Sequence, residues 1–265
     1  MTEREGRGLP LRAFIPNAIT ALALCSGLTG IRYGIGGEWD KAMIAIVVAG
    51  VLDGLDGQMA RMLRSNSKFG AELDSLSDNI AFGTAPALIL FLWSLMTAPK
   101  FGWTVALVLA VCCALRLARF NSRIDADVQP HKSAGFNTGV PAPAGAGLAF
   151  APIYLWLITD NDVFRDWRLV MPWTLLVAVL MISAIPTYSW TSIRIRKSWR
   201  VVALAGVALL AAALINEPWI TLMIVSLTYL ATVPFSIAGY GRVKRRRATR
   251  SSSAPAAPSV PGRAD

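Results

Sequence analysis

The sequence is poor in histidine, cysteine and charge, and each shortage excludes a kind of chemistry. His131 is the single histidine among 265 residues, so a histidine metal site or a Ser-His catalytic pair has almost no material. The three cysteines, Cys25, Cys112 and Cys113, all fall in apolar stretches. A thiol there behaves as a small hydrophobe, and no disulfide framework is implied. Catalytic chemistry in this chain must therefore rest on carboxylates.

Charged residues make up only 16% of the chain and hydrophobic residues 54%, whereas soluble proteins are roughly one quarter charged. About 20 apolar residues cross a bilayer once as a helix, and apolar runs recur along nearly the whole sequence. The fold class predicted from this pattern is an all-α, polytopic integral membrane protein with about eight transmembrane helices. The predicted spans are residues 13–33, 42–60, 79–96, 103–119, 138–158, 169–187, 201–215 and 219–238.

The basic residues are distributed unevenly between the two sides of the predicted membrane domain. With eight spans both termini share one side, and that side carries 20 of the 26 Lys and Arg residues against four on the other. The positive-inside rule then predicts a multi-pass protein of the inner (cytoplasmic) membrane with both termini and the active site in the cytoplasm. This placement also argues against nucleic acid as the partner of the net charge of +10.

Three regions follow from this layout. Residues 1–12 form a basic cytoplasmic N-terminus, residues 13–238 the membrane domain, and residues 239–265 a basic tail whose composition predicts disorder. The tail has two interpretations: it binds anionic lipid headgroups, or it serves only as a topology signal.

Four aspartates fall within residues 53–78, although the whole chain has only 16 acidic residues. Asp53 and Asp56 are three residues apart, and Asp74 and Asp78 four apart, so each pair lies on one face of a helix. A turn between the second and third helices lets these run antiparallel, which brings the four carboxylates together near the cytoplasmic end. Like charges this close require cations, and Mg²⁺ and Mn²⁺ prefer such oxygen ligands.

The alternative is that the aspartates form a membrane-edge salt-bridge network with Arg61, Arg64 and Lys68. Ionisable residues inside a membrane segment usually mark a functional site, which favours the metal site over the salt-bridge network. Gly57 and Gly70 lack side chains where a bulky ligand would come close, and the forked cation of Arg61 suits a phosphate.

The same stretch reads Asp-x-x-Asp-Gly-x-x-Ala-Arg-x8-Gly-x3-Asp-x3-Asp, and it resembles the signature of the CDP-alcohol phosphotransferase family with every fixed position filled. The resemblance implies enzymes that displace CMP from a CDP-linked alcohol and hold two divalent ions, Mg²⁺ or Mn²⁺, on the four aspartates. By position, it implies that Asp53 and Asp74 bridge the metals and Asp56 binds one of them. Asp78 would bind the other and be the catalytic proton acceptor.

The resemblance also implies a set of residues that hold the CDP moiety. Asn17 and Thr20 belong to a Pro-Asn-x-x-Thr segment on the first helix, where polar side chains can equally serve helix packing. The full set is Gly57, Ala60, Arg61, Ser67, Gly70, Asn17 and Thr20.

Four segments, at the end of the signature and beyond it, resemble the phosphatidylserine synthase branch of this family; they are residues 69–78, 82–87, 115–121 and 136–144. The branch implies CDP-diacylglycerol and L-serine as substrates, membrane lipids as surroundings and a homodimer. Glycerol 3-phosphate or inositol phosphate as acceptor is the alternative within the same chemistry. Arg116 and Arg119 share a helix face near the cytoplasm, so we expect them to receive the carboxylate of serine or a substrate phosphate. Their alternative role is helix-end snorkelling.

A membrane transporter is the alternative from another functional class. Its ionisable residues would be expected near the bilayer midplane, on broken helices in two related halves. The acidic group here lies at one cytoplasmic edge, and the two halves show no repeat. The pattern therefore favours an enzyme.

Overall fold

The computed structural model describes residues 11–65, 67–124, 136–183, 186–188 and 200–234. The predictions for residues 1–10, for His131 and for the tail 239–265 lie outside the described residues.

The described chain is built from helices, most of them apolar, joined by short turns. A π-helical turn separates α3 from α4, and 3₁₀ turns follow α4 and α7. In chain order the elements are α1 (Leu11–Ile35), α2 (Trp39–Leu63), α3 (Lys68–Asn79), the π turn (Ile80–Thr84), α4 (Ala85–Trp93), a 3₁₀ turn (Leu95–Thr97), α5 (Gly102–Ile124), β1 (Phe136–Thr138), α6 (Ala142–Ala149), α7 (Ala151–Thr159), a 3₁₀ turn (Asp162–Arg165), α8 (Trp167–Ile182), β2 (Pro186–Tyr188), α9 (Arg200–Asn216) and α10 (Pro218–Pro234).

Four helical segments are long and apolar enough to cross a membrane, namely Phe14–Ile35, Trp39–Leu63, Lys68–Trp93 and Gly102–Ser122. Helices α6 and α7 form a pair bent by 41° that can act as a fifth span, and α8, α9 and α10 are shorter apolar helices. In order along the chain, these segments match the eight predicted spans. The protein is a multi-pass, all-α membrane protein, and the one described sheet is the antiparallel pairing of β1 with β2, three residues each.

The third predicted span, 79–96, begins too late. Helical structure starts at Lys68 and continues through the π turn to Trp93. The polar residues around Asp74 and Asp78 lower the local hydropathy, so the apolar run begins only after them. The helix itself begins earlier, because backbone hydrogen bonding does not depend on hydropathy. The sixth predicted span, 169–187, ends too late, because α8 stops at Ile182.

Close packing of small residues draws α1 onto its neighbours. A Cβ added to Gly27 would lie 2.9 Å from the Cα of Ala81 in the π turn, and one added to Gly30 would lie 3.0 Å from Ile46 on α2. A larger residue at either glycine would push these backbones apart. Helix α1 is thereby held against the helices that carry the aspartates.

The bend between α6 and α7 follows from a proline. Pro152 in the first turn of α7 has no N–H to offer the carbonyl of Leu148 four residues earlier. The indole N–H of Trp173 on α8 donates to that carbonyl instead, at 2.8 Å. The polar group freed by the bend is thus satisfied by a neighbouring helix, as membrane proteins require.

The end of the bundle away from the aspartates is fastened by Arg165. Its Nε donates to the carbonyl of Trp93 at 2.8 Å, and its own carbonyl accepts from the Ser94 hydroxyl at 2.7 Å. The guanidinium lies 5.8 Å from the ring centroids of both Trp39 and Trp156. One side chain therefore joins the start of α2, the end of α4 and α7.

Candidate active site

The turn between α2 and α3 is defined by capping interactions. Arg64 adopts a left-handed conformation with φ 50° and ends α2, and the Ser65 N–H donates to the Ala60 carbonyl at 3.1 Å. Ser67 caps α3 by accepting the Gly70 N–H on its hydroxyl at 3.0 Å. This is a common way to satisfy the free donors of a helix start. The turn places the end of α2 beside the start of α3.

Three aspartates meet across these helices. The carboxylates of Asp53, Asp56 and Asp74 each offer an oxygen, and these oxygens all lie within 4.8 Å of one another. Two ligands on opposite sides of a Mg²⁺ ion, each about 2.1 Å from it, would be about 4.2 Å apart. The separations therefore fit a divalent cation held by all three side chains.

Basic side chains do not neutralise these carboxylates. In the described part of the chain, the ion pair found within 4.0 Å joins Lys41 to Glu38, at the other end of α2. The alternative interpretation of the four aspartates as a salt-bridge network with Arg61, Arg64 and Lys68 is therefore not what the structure forms. Divalent cations are one way to balance the charge of such a cluster.

Asp78 lies beside this triad, on the side that faces α5. Its carboxyl group is within hydrogen-bonding reach of Asp53 and interacts electrostatically with the guanidinium of Arg116. The Nε of Arg116 is buried and has no hydrogen-bond partner among the described residues. Asp78 thus stands between the metal-competent carboxylates and a cation that still has a donor to offer.

Helix α1 contacts the aspartate triad through a hydrogen bond. The Thr20 hydroxyl donates to Oδ2 of Asp56 at 2.5 Å, and the Ser77 hydroxyl on α3 donates to the Thr20 carbonyl at 3.2 Å. Asp56, Thr20 and Ser77 are all buried. Three helices are therefore tied together directly beside the carboxylates.

Asn17 and the glycines lie around the α2–α3 turn. A Cβ on Gly70 would be 2.9 Å from Oδ1 of Asn17 and 3.1 Å from the Ser67 hydroxyl, while one on Gly57 would be 3.8 Å from Nη1 of Arg61. Gly70 is therefore required by the approach of α1. Arg61, on the exposed face of α2, and Ala60 beside it lie one turn from Gly57.

Arg119 is engaged differently from Arg116. Its Nη1 and Nη2 donate to the carbonyls of Ile182 and Ser183, at 2.9 and 3.1 Å. These contacts cap the end of α8, and Gly139, with φ +77°, lies against the carbonyls of Met181 and Ser183.

Two polar interactions of α5, one with α3 and one with α10, were not predicted from the sequence. The Asn121 amide donates to the Ser75 hydroxyl at 2.8 Å, which links α5 to α3. Tyr229 on α10 interacts electrostatically with Arg116, and its hydroxyl oxygen is buried. An apolar helix far along the chain gives no local signal that one tyrosine on it reaches the site.

The sequence profile of CDP-alcohol phosphatidyltransferases matches residues 13–185, a region that contains the aspartates and the helices that position them. This chain belongs to the CDP-alcohol phosphatidyltransferase family. A second profile, CDP-alcohol phosphatidyltransferase 2, matches residues 198–234. The CDP-alcohol phosphatidyltransferase match therefore extends over nearly all the described helices.

Curated relatives of this CDP-alcohol phosphatidyltransferase include several proteins named CDP-diacylglycerol–serine O-phosphatidyltransferase. The protein from Mycobacterium tuberculosis (strain H37Rv) is 34% identical, over 98% of this chain and 94% of its own length. That from Mycobacterium leprae is 37% identical, over 88% and 77%. The Helicobacter pylori (strain 26695) protein is 35% identical, over 66% and 72%.

Proposed function

We propose that this enzyme transfers the phosphatidyl group of CDP-diacylglycerol to L-serine and releases CMP. The observation that carries the proposal is the position of Asp78, between an aspartate triad fit for a metal and the open donor of Arg116. The first group suits a pyrophosphate and the second an acceptor that carries a carboxylate. The shared name of the curated relatives supports serine.

In the proposed reaction Asp78 accepts the proton of the serine hydroxyl. The hydroxyl oxygen bonds to the phosphorus that bears diacylglycerol, and the bond from that phosphorus to the bridging oxygen breaks. CMP leaves with the electron pair. General-base catalysis of this kind contributes about 10²- to 10⁴-fold. Asp78 is placed for it because it lies at the border of the triad rather than at its centre.

A divalent cation bound by Asp53, Asp56 and Asp74 would neutralise pyrophosphate charge and orient the phosphate oxygens. We propose Mg²⁺ or Mn²⁺ for this role because both prefer carboxylate oxygens. We also propose the second divalent ion that the family resemblance implies, with Asp78 as one of its ligands.

The CDP moiety is proposed to lie over the α2–α3 turn. Gly57 leaves space for it, and Arg61 offers a forked cation to a phosphate. Gly70 lets Asn17 and Ser67 approach the same surface, which Ala60 also borders.

The carboxylate of serine is assigned to Arg116, because its Nε is buried and has no partner in the described chain. Arg119, with bonds to two α8 carbonyls, is assigned a positioning role at the edge of this pocket.

The membrane orientation and the homodimer that we propose rest on the sequence. The excess of basic residues on one side supports an inner-membrane protein with the aspartates at the cytoplasmic face, and family resemblance supports a homodimer.

The test is CMP release from CDP-diacylglycerol by the purified protein in detergent with Mn²⁺ or Mg²⁺. L-serine, glycerol 3-phosphate and inositol phosphate are compared as acceptors. We expect serine-dependent release that falls about 10²-fold or more in Asp78→Asn and is retained in Asp40→Asn, an exposed aspartate at the far end of α2. If CMP is released only with a phosphate-bearing acceptor, that acceptor replaces serine in the proposal. If no acceptor gives CMP release, the proposed activity is refuted.

A further inference from the structure

We propose that Thr20 is a positioning residue for Asp56: its hydroxyl holds one carboxylate oxygen so that the other is presented to the divalent cation. This inference rests on metal binding by the aspartate triad, which is part of the proposed function.

The contact is short and lies inside the protein. Oγ1 of Thr20 is 2.5 Å from Oδ2 of Asp56, and each residue is only 4% exposed. Hydrogen bonds from a hydroxyl to a carboxylate are about 2.5–2.7 Å long and roughly twice as strong as neutral ones. The geometry therefore matches a charge-assisted bond.

The hydroxyl of Thr20 has one proton and two acceptors within reach. The second is the carbonyl of Pro16, at 3.0 Å, which in a helix is already the acceptor for the N–H four residues later. The shorter distance and the greater negative charge both direct the proton to Asp56.

The backbone of Thr20 is fixed as well. The Ser77 hydroxyl donates to its carbonyl, and Ser77 precedes Asp78 on α3. Thr20 therefore joins α1 to both helices that carry aspartates, so the orientation of the Asp56 carboxylate depends on how the three helices pack.

This position differs from the role that family resemblance gives Thr20. A buried hydroxyl that already donates to a carboxylate has no proton left for a nucleotide. A nucleotide contact and a positioning role can be separated, because only the second changes metal affinity when no substrate is present.

Mn²⁺ binding to the full-length protein in detergent, measured by electron paramagnetic resonance of free Mn²⁺, tests the inference. Thr20→Val keeps the shape but removes the hydroxyl, whereas Thr20→Ser keeps it. Loss of a residue that orients a metal ligand typically costs about 10- to 100-fold in metal affinity. We expect a loss of this size for Thr20→Val and affinity near wild type for Thr20→Ser.

Thr29→Val is the matched control, since Thr29 lies on the same helix and its hydroxyl donates to the Cys25 carbonyl, at 2.7 Å. If Thr20→Val does not fold, Thr20→Ala against Thr20→Ser provides a second pair that differs by one oxygen.

Unchanged Mn²⁺ affinity in the variants without the hydroxyl would overturn the inference, and a raised KM for CDP-diacylglycerol alone would assign Thr20 to the nucleotide. Wild-type protein that binds Mn²⁺ but does not use serine would sink the proposed acceptor and leave this inference standing. Wild type that binds no Mn²⁺ would overturn this inference, whereas serine-dependent CMP release would still decide the proposed function.

Discussion

At the scale of single residues, Arg116 is the side chain that we propose selects the acceptor. It is a half-buried cation beside Asp78, and its Nε has no partner in the described chain. A ligand with a carboxylate can supply that partner while its hydroxyl faces Asp78.

We therefore expect Arg116→Gln to raise the KM for L-serine by about 10- to 100-fold, because hydrogen bonds to charged groups contribute about 1.5–3 kcal/mol. The KM for CDP-diacylglycerol should change much less. Steady-state kinetics of CMP release measure both constants. Arg32→Gln, an exposed arginine in the last turn of α1, serves as control. An unchanged KM for serine would refute the assignment.

The four aspartates could be predicted because their spacing is local: pairs three and four residues apart must share a helix face. Their separation into a triad and a neighbouring Asp78 could not, because it depends on how α2 and α3 are rotated about their axes. The electrostatic interaction of Tyr229 with Arg116 joins residues more than a hundred positions apart, and no local pattern encodes it.

At the scale of elements, the bend of α6 and α7 depends on a bond from another helix. Pro152 frees the carbonyl of Leu148, and Trp173 satisfies it. The pair can then stay bent within the membrane without an unsatisfied polar group.

We expect Trp173→Phe to lower the free energy of unfolding by about 1 kcal/mol or more, which is about 2–4 °C in the thermal midpoint for a chain of this size. Trp103→Phe makes the same chemical change at an exposed site with an edge contact to Phe91 and should matter less. Thermal unfolding in detergent gives both values. Equal shifts in the two variants would show that lost volume, not the hydrogen bond, is responsible.

Hydropathy located the helices but not all their ends. It marks where a chain is apolar, so it missed the polar first turns of α3. The π turn that follows Asn79 is also invisible to it, since the extra residue changes backbone hydrogen bonding and not composition. The β1–β2 pairing joins segments about 50 residues apart and was likewise beyond a local pattern.

At the scale of the whole molecule, the two ends of the bundle are held by different interactions. Carboxylates and hydroxyls gather at one end, and Arg165 with its tryptophans fastens the other. Trp39 and Asp53 are 14 positions apart on α2, about 21 Å along the helix axis.

We expect Arg165→Lys to destabilise the protein without affecting substrate binding. Lysine keeps the charge but loses the planar fork that bonds Trp93 and lies over two rings, at a cost of about 2 kcal/mol. This corresponds to a midpoint lower by about 4–8 °C. Arg168→Lys, an exposed neighbour that contacts Trp167, should change the midpoint little. A raised KM for serine in Arg165→Lys would contradict the separation of the two ends.

The number and order of the membrane segments were predictable, because each is an apolar run bounded by polar residues, although α8, α9 and α10 are shorter than the first four. The aromatic end was not, since Trp39, Trp93 and Trp156 meet only after folding.

The distribution of tryptophan also decides what fluorescence can report about this enzyme. Three of its nine tryptophans surround or bond Arg165, and the single tryptophan in α2 and α3 is Trp39, at the start of α2. Emission from these three rings reports on the environment at the end of the bundle opposite the aspartates. A spectral change from these three rings on adding nucleotide would therefore record a change transmitted through the helices rather than direct contact with the ligand.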